Sequence, residues 1–136
     1  MAACTGATEA ELRQALDGLG PVPAAQDLRG TESGLVMLRG RMGGDGNPFN
    51  LGEATVTRAA VRLADGRTGF AYQLGRDAPK ARLAAILDAL WQGPEQAAVE
   101  AALASVRQRI ADEAAARARR VAATRVNFFT MVRGDD

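Results

Sequence analysis

The chain contains no histidine, one cysteine, one lysine and six aromatic residues among 136 positions. Without histidine there is no Ser-His-Asp or Cys-His catalysis, and the side chain most often used for proton transfer near neutral pH is missing. Carboxylates remain for that work. Cys4, standing alone, excludes an intrachain disulfide, a Cys/His zinc site and an iron-sulfur cluster held by this chain. No motif calls for a cofactor or a metal. No stretch reaches the roughly 18 apolar residues of a membrane span, and Met1 to Thr8 lacks a charged segment followed by an apolar one. A soluble, cytoplasmic protein that does not contact a membrane is expected. Seventeen basic against sixteen acidic residues leave a net charge of +1, far from the excess of a dedicated nucleic-acid binder.

What is present is mostly small. Alanine supplies 29 of the hydrophobic residues that make up 47% of the chain, so the larger apolar side chains form a thin core. Stabilisation scales at roughly 25 cal/mol per Å² of apolar surface buried, and an alanine-rich chain therefore leans on a partner surface. The length fits one domain, or one domain with a helical arm. Among the cations only Lys80 is not arginine. The planar guanidinium suits interfaces, buried ion pairs and phosphate or phosphonate oxygens, although GC-rich coding produces the same bias.

Thr8 and Glu11 have capping-box spacing, and Leu12, Ala15, Leu16 and Leu19 follow at helical intervals before Gly20-Pro21. Leu35 to Met42 and Ala54 to Leu63 read as strands, rich in Val, Thr and Leu. The Asp65-Gly66 pair predicts a tight turn into a third strand, Thr68 to Leu74. Asp77 caps a helix with Pro79 in its first turn, and Leu83, Ile86, Leu87, Leu90 and Trp91 give it one apolar face. Gly93-Pro94 restarts a longer helix to about Val121, with Val99, Leu103, Val106 and Ile110 as its stripe. Val126, Phe128, Phe129, Thr130 and Val132 favour β structure, so Arg125 to Val132 is expected as a fourth strand, with Phe128 and Phe129 on opposite faces. The fold class expected is α+β, a mainly antiparallel sheet of about four strands with helices on one face.

The segment Gly43-Gly44-Asp45-Gly46 invites an anion-cradle reading. It lacks the third glycine of a dinucleotide fingerprint and any Gly-Lys-Ser/Thr, and Asp45 repels an anion. A plain strand connection is the better reading of that spacing. Arg39 and Arg41 alternate onto one face of their strand, and Arg58 and Arg62 share a face of the next. Gathered together they form a basic patch for a phosphorylated ligand or an acidic partner; apart, they are solvated surface. On the long helix, Glu100, Asp112 and Glu113 interrupt the arginines, which favours a solvated or partner-facing surface.

Four segments together resemble the PhnG family of the bacterial carbon-phosphorus lyase system. They are Glu32 to Met37, Arg41 to Gly46, Thr57 to Leu63, and the tail Arg125 to Asp135, which reads RVNFFTMVRGD. Gly75-Arg76-Asp77 and Asp88-Ala89-Leu90 also sit where the family has them. The resemblance spans residues 28–136 of a single domain, while residues 1–27 form a variable helix and linker in which the family's usual Trp-Met pair is absent. It implies a subunit acting with subunits H, I and L to form alpha-D-ribose 1-methylphosphonate 5-triphosphate from methylphosphonate and ATP, with release of adenine. In that family the nucleosidase-type activity belongs to the I subunit and the iron-sulfur chemistry to the J subunit. The resemblance thus implies an assembly role beside subunits H, I and J, closest to I, with ATP and phosphonate bound through the complex and no nucleic acid. No catalytic residue is assigned. Partner or anion contacts are expected at Arg39, Arg41, Gly43, Gly44, Arg58, Arg76, Arg125, Phe128, Phe129 and Arg133. The competing reading is a free-standing phosphate- or nucleotide-binding module built on the glycine loop.

Overall fold

The computed structural model describes the backbone of residues 2–41 and 48–134 and the side chains of residues 3–37 and 52–125. A short helix α1 (Ala2–Gly6) leads into α2 (Glu9–Gly18). The capping box between them forms as the spacing predicts: the Thr8 N–H donates to Glu11 Oε2 at 2.8 Å, and the Glu11 N–H donates to Thr8 Oγ1 at 3.2 Å. Three antiparallel strands follow in the order β1 (Ala25–Arg41), β2 (Pro48–Leu63), β3 (Thr68–Leu74). The first two are longer than their β-favouring cores, because backbone pairing carries β1 back through the polar stretch to Ala25, opposite Leu63. Register irregularities at Asp27/Arg29 and Arg29/Glu32 mark where composition and pairing disagree.

The β2–β3 connection is the turn expected from Asp65-Gly66. The Gly66 N–H donates to Leu63 O, the Leu63 N–H donates to Arg67 O, and Gly66 takes φ +94°. Ala64 and Asp65 both keep negative φ, which gives a three-residue loop closed by a glycine in the left-handed region. Gly66→Val places a β-branched residue there, at a cost of about 1 to 3 kcal/mol. Its thermal midpoint is expected to fall by several degrees, and an unchanged midpoint would show that the turn tolerates a side chain.

Helix α3 (Ala78–Trp91) lies across β2 and β3, with α2 and α4 (Gln96–Ala102) against it. It is therefore covered on two sides, and eight of its fourteen residues are buried. The close approach depends on small residues. A Cβ added at Gly69 would stand 1.9 Å from Ala85 O and 2.7 Å from Ala89 N, so the helix backbone rests on the strand where that strand has no side chain. Along β2, Thr57, Ala59, Val61 and Leu63 face this core. Thr57 Oγ1 donates to Gly75 O at 2.6 Å, accepts the Asp77 N–H and lies 3.1 Å from Ser33 Oγ, which fixes the corner between β3 and α3. At the chain start Cys4 is buried, and that burial pushes its thiol up to about 11, leaving it protonated at neutral pH.

The long helix read from Gly93 onward is interrupted at Leu103, giving α4 and α5 (Ala104–Gly134). Its stripe is inward as expected: Val99, Leu103 and Val106 are buried and Ile110 packs against them. From Ala111 to Arg125 every residue except Ala116 is exposed. The fourth strand is not found. The backbone of Arg125 to Val132 continues α5, and the described sheet has three strands. Val, Phe and Thr favour strands only where a neighbouring strand is there to pair with, and no glycine or proline stands between Ala104 and Met131 to end an alanine- and arginine-rich helix. Neighbouring residues of a helix are about 100° apart rather than opposed, so the argument that Phe128 and Phe129 point to opposite sheet faces falls with the strand. The fold class stands: α+β, antiparallel, helices on one face.

Candidate functional site

Among the described residues no helix covers the sheet face turned away from α3. Strand alternation sends Val56, Arg58, Ala60 and Arg62 of β2 to that face, and Phe70, Tyr72 and Leu74 of β3 beside them. Tyr72 lies opposite Arg58, and Glu32 of β1 lies on Arg58's other side. The three β3 side chains are 58–69% exposed, a contiguous apolar row of the kind that marks an interaction surface. A groove of about 340 Å³ runs between Leu28, Arg29, Glu32, Arg58, Phe70 and Tyr72. Its chemistry is apolar with a cationic rim. The Arg58–Glu32 pair spans 3.3 Å with both side chains about half exposed, an ion pair worth little in water. Arg58 is thus available to another acceptor at low cost.

Other arginines are committed to the fold. Arg67 donates to Asp65, to both oxygens of Glu95 and to Leu90 O, tying the β2–β3 turn to the ends of α3 and α4. Arg109 grips both oxygens of Glu11 at 2.6 and 2.8 Å, Glu113 at 2.8 Å and Gly6 O at 2.9 Å, which fastens α5 to α1 and α2. Arg107 binds Glu100, which also accepts from Trp91 Nε1. Arg82 holds Asp27 at 2.8 Å. The guanidinium bonds keep both Arg67 and Arg109 firmly protonated and hold the carboxyls of Glu11, Asp65, Glu95 and Glu100 below their ordinary range.

Those carboxylates make the fold sensitive to acid. Their folded pKa values lie below the unfolded ones, so the stability they add is complete above the ordinary carboxylate range and is lost as pH falls through the folded values. With no histidine to titrate between pH 5 and 8, the thermal midpoint is expected to be flat from about pH 6 to 8. It should decline below about pH 4.5. Calorimetric scans across that range check this, and a midpoint unchanged down to pH 3 would remove the clamps from the account of stability.

The expected contact residues are not gathered in one place. Arg58 is at the groove. Arg76 is exposed at the corner after Gly75, whose φ is +83°. Arg125 is exposed far along α5. Arg39 and Arg41 lie near the far end of the β1–β2 pair, opposite Asn50 and Pro48, roughly 25 to 33 Å from Arg58 along the strand at about 3.3 Å per residue. Phe128, Phe129 and Arg133 belong to the helical backbone of α5, and Gly43 and Gly44 lie outside the described residues. Sequence reasoning did not single out Phe70 and Tyr72. Their signal was present in TGFAYQL, where large residues alternate with Gly69, Ala71 and Gln73. Among the described residues no three metal-ligating side chains converge, and no helix is long and apolar enough to cross a membrane.

The family model described as phosphonate metabolism protein PhnG matches residues 1–134. A relative from Rhizobium meliloti (strain 1021), named alpha-D-ribose 1-methylphosphonate 5-triphosphate synthase subunit PhnG, is 53% identical over 131 residues. That match covers 96% of this chain and 84% of the relative.

Proposed function

The chain belongs to the PhnG family of phosphonate metabolism proteins, and on that premise we propose that it is a non-autonomous subunit of a cytoplasmic carbon-phosphorus lyase complex. It takes part with subunits H, I and L in forming alpha-D-ribose 1-methylphosphonate 5-triphosphate from methylphosphonate and ATP with release of adenine. The single observation that carries this reading is 53% identity over nearly the whole chain to a synthase subunit of that name. The geometry supports an interface role. Among the described residues an apolar sheet face with arginines at its rim is uncovered, and a second surface is the exposed length of α5. Its neighbours are subunits H, I and J, with I the closest. Displacing adenine at the anomeric carbon requires two highly anionic groups to be positioned against an oxocarbenium-like centre. Arg39, Arg41, Arg58, Arg76, Arg125 and Arg133 serve partner carboxylates or the anionic ligands, and none is given a proton-transfer role.

Reconstitution tests this. Subunits G, H, I and L, mixed with ATP and methylphosphonate, are expected to release adenine. Leaving out this chain should reduce release at least 100-fold, and the chain alone should release none. Turnover by the pure, partner-free chain would overturn the reading in favour of a self-sufficient module.

A further inference from the structure

We propose that the outer edge of β3, from Tyr72 to Leu74, takes an added strand from a partner subunit: an extended segment with apolar residues at alternate positions and carboxylates among them. The inference rests on the reading of this chain as a subunit.

Two bonds set the pattern. The Gly75 N–H donates to Thr55 O and the Leu63 N–H donates to Arg67 O, both at 2.8 Å. Antiparallel alternation then turns the odd-numbered residues of β3 toward β2 and the backbone groups of Thr68, Phe70, Tyr72 and Leu74 toward the open edge. Half of that edge is already closed by side chains of α3 and its cap. The Phe70 N–H donates to Asp88 Oδ2 at 3.1 Å, and Gln92 Nε2 donates to Thr68 O at 2.9 Å. Past Phe70 the capping stops, and among the described residues no group pairs with the backbone of Tyr72 or Leu74. Folded proteins usually blunt such an edge, and this one is blunted over only part of its length.

A second observation marks the same place. A groove of about 290 Å³ lies beside the open half, between β3 and α1, bordered by Cys4, Thr5, Tyr72, Gln73 and Ala84. Gln73 is 2% exposed. Its Nε2 donates to Cys4 O at 3.2 Å, while its Oε1 has no partner. A buried acceptor left unpaired is destabilising, and the residue that carries this one borders the same groove.

The side chains and charges describe the occupant. Phe70, Tyr72 and Leu74 form the outward row that the alternate residues of an added strand would extend. Around the open half stand Arg58, opposite Tyr72; Arg76, two residues past Leu74; and Lys80, whose Nζ reaches Thr5 O at 3.1 Å. Nearby, Glu32 is shared with Arg58, and Asp77 is used in capping α3. Asp88 in turn holds the Phe70 N–H, so all three carboxylates are engaged; among the described residues Arg76 and Lys80 have no carboxylate partner, and they call for one. A second copy of this chain fits poorly, since a two-fold pairing of β3 edges would set these cations against their own duplicates.

The test compares Tyr72→Pro with Tyr72→Ala in the full chain, co-expressed with subunits H, I and J. Proline is tolerated on an edge strand where the missing N–H faces outward, so Tyr72→Pro removes the outward donor and leaves pairing with β2 intact. Capture of the complex through this chain is expected to fall at least 10-fold further for Tyr72→Pro than for Tyr72→Ala; equal capture would overturn the proposal. Hydrogen exchange on the wild-type complex gives a readout independent of the variants' folding. The amides of Tyr72 and Leu74 should slow at least 10-fold on assembly, while that of Phe70, already held by Asp88, changes little. A complex that forms with Tyr72 and Leu74 exchanging as in the free chain sinks the edge inference and spares the subunit reading. No complex at all sinks the subunit reading itself. Protection appearing in the isolated chain together with a dimer mass assigns the edge to a second copy and overturns the proposal.

Discussion

Gly69→Ala is expected to leave the chain unable to fold stably, although it adds a single methyl group. The new Cβ would lie 1.9 Å from the Ala85 carbonyl oxygen and 2.7 Å from the Ala89 nitrogen. Both are backbone atoms of α3, so no rotamer relieves the overlap and the helix must lift from β3. Overpacking a core costs about 1 to 3 kcal/mol even when side chains can shift. Here the obstacle is rigid, and the contact being opened joins the sheet to its central helix, so a loss of 3 kcal/mol or more is expected. For a domain of this size 1 kcal/mol moves the midpoint by roughly 3 to 6 °C, and the variant should melt at least 10 °C lower or accumulate as insoluble protein. Gly34→Ala is the control. It sits in β1 opposite Val56 with no atom within 4 Å of the added carbon, and its midpoint should stay within about 2 °C. Near-native melting of Gly69→Ala would mean that α3 does not rest on the strand there.

Leu87→Ala should produce the second large loss. Leu87 is fully buried on a helix packed between the sheet and the α2/α4 layer. Truncating a buried leucine removes its transfer energy and leaves a cavity, together about 2 to 5 kcal/mol. Much of the surrounding core is alanine, including Ala81, Ala84, Ala85 and Ala89. Side chains so short cannot swing inward to fill the space, which puts the cost toward the upper end of that range. Since whole domains are stable by only about 5 to 15 kcal/mol, chemical denaturation should show a much lower midpoint with a similar slope. A loss below 1 kcal/mol would contradict the packing described.

The contrast between these two sites shows what the sequence made legible. Leu87 was evident as part of a helical stripe, because apolar periodicity is a local signal. Gly69 read only as a strand residue, since its role depends on a helix that crosses it from elsewhere in the chain. The same division holds more widely. Thr8 with Glu11, Asp65-Gly66, and Asp77 with Pro79 each state their structure within a few residues, and the cap, turn and helix start they specify all form. The first half of β1 is polar and contains Gly30, so its pairing with β2 is not visible locally. At the C-terminal end the error ran the other way: Val126 to Val132 carry strand preference, but the backbone there continues the helix begun at Ala104. The candidate surface was half legible. Arg58 is marked by its spacing from Arg62, whereas Phe70 and Tyr72 read as ordinary strand residues, because nothing in a sequence says which face a helix will cover. The glycine loop at Gly43 and Gly44 lies outside the described residues.

The exposed stretch of α5 gives the molecule two different kinds of cooperativity. The body is held by contacts distant in sequence, so it melts cooperatively. Between Ala111 and Arg125 the hydrogen bonds are those of the helix itself, and the side chains bury almost nothing. Such a segment unwinds in steps, on the submicrosecond scale of the helix-coil transition, without any melting of the sheet. A single melting temperature therefore reports the body and is silent about the arm. Helical content measured at 222 nm should begin to fall well before the tryptophan signal of Trp91, which sits at the end of α3. A neighbour that grips the arm contributes what the chain does not: a second hydrophobic boundary that merges the two transitions into one.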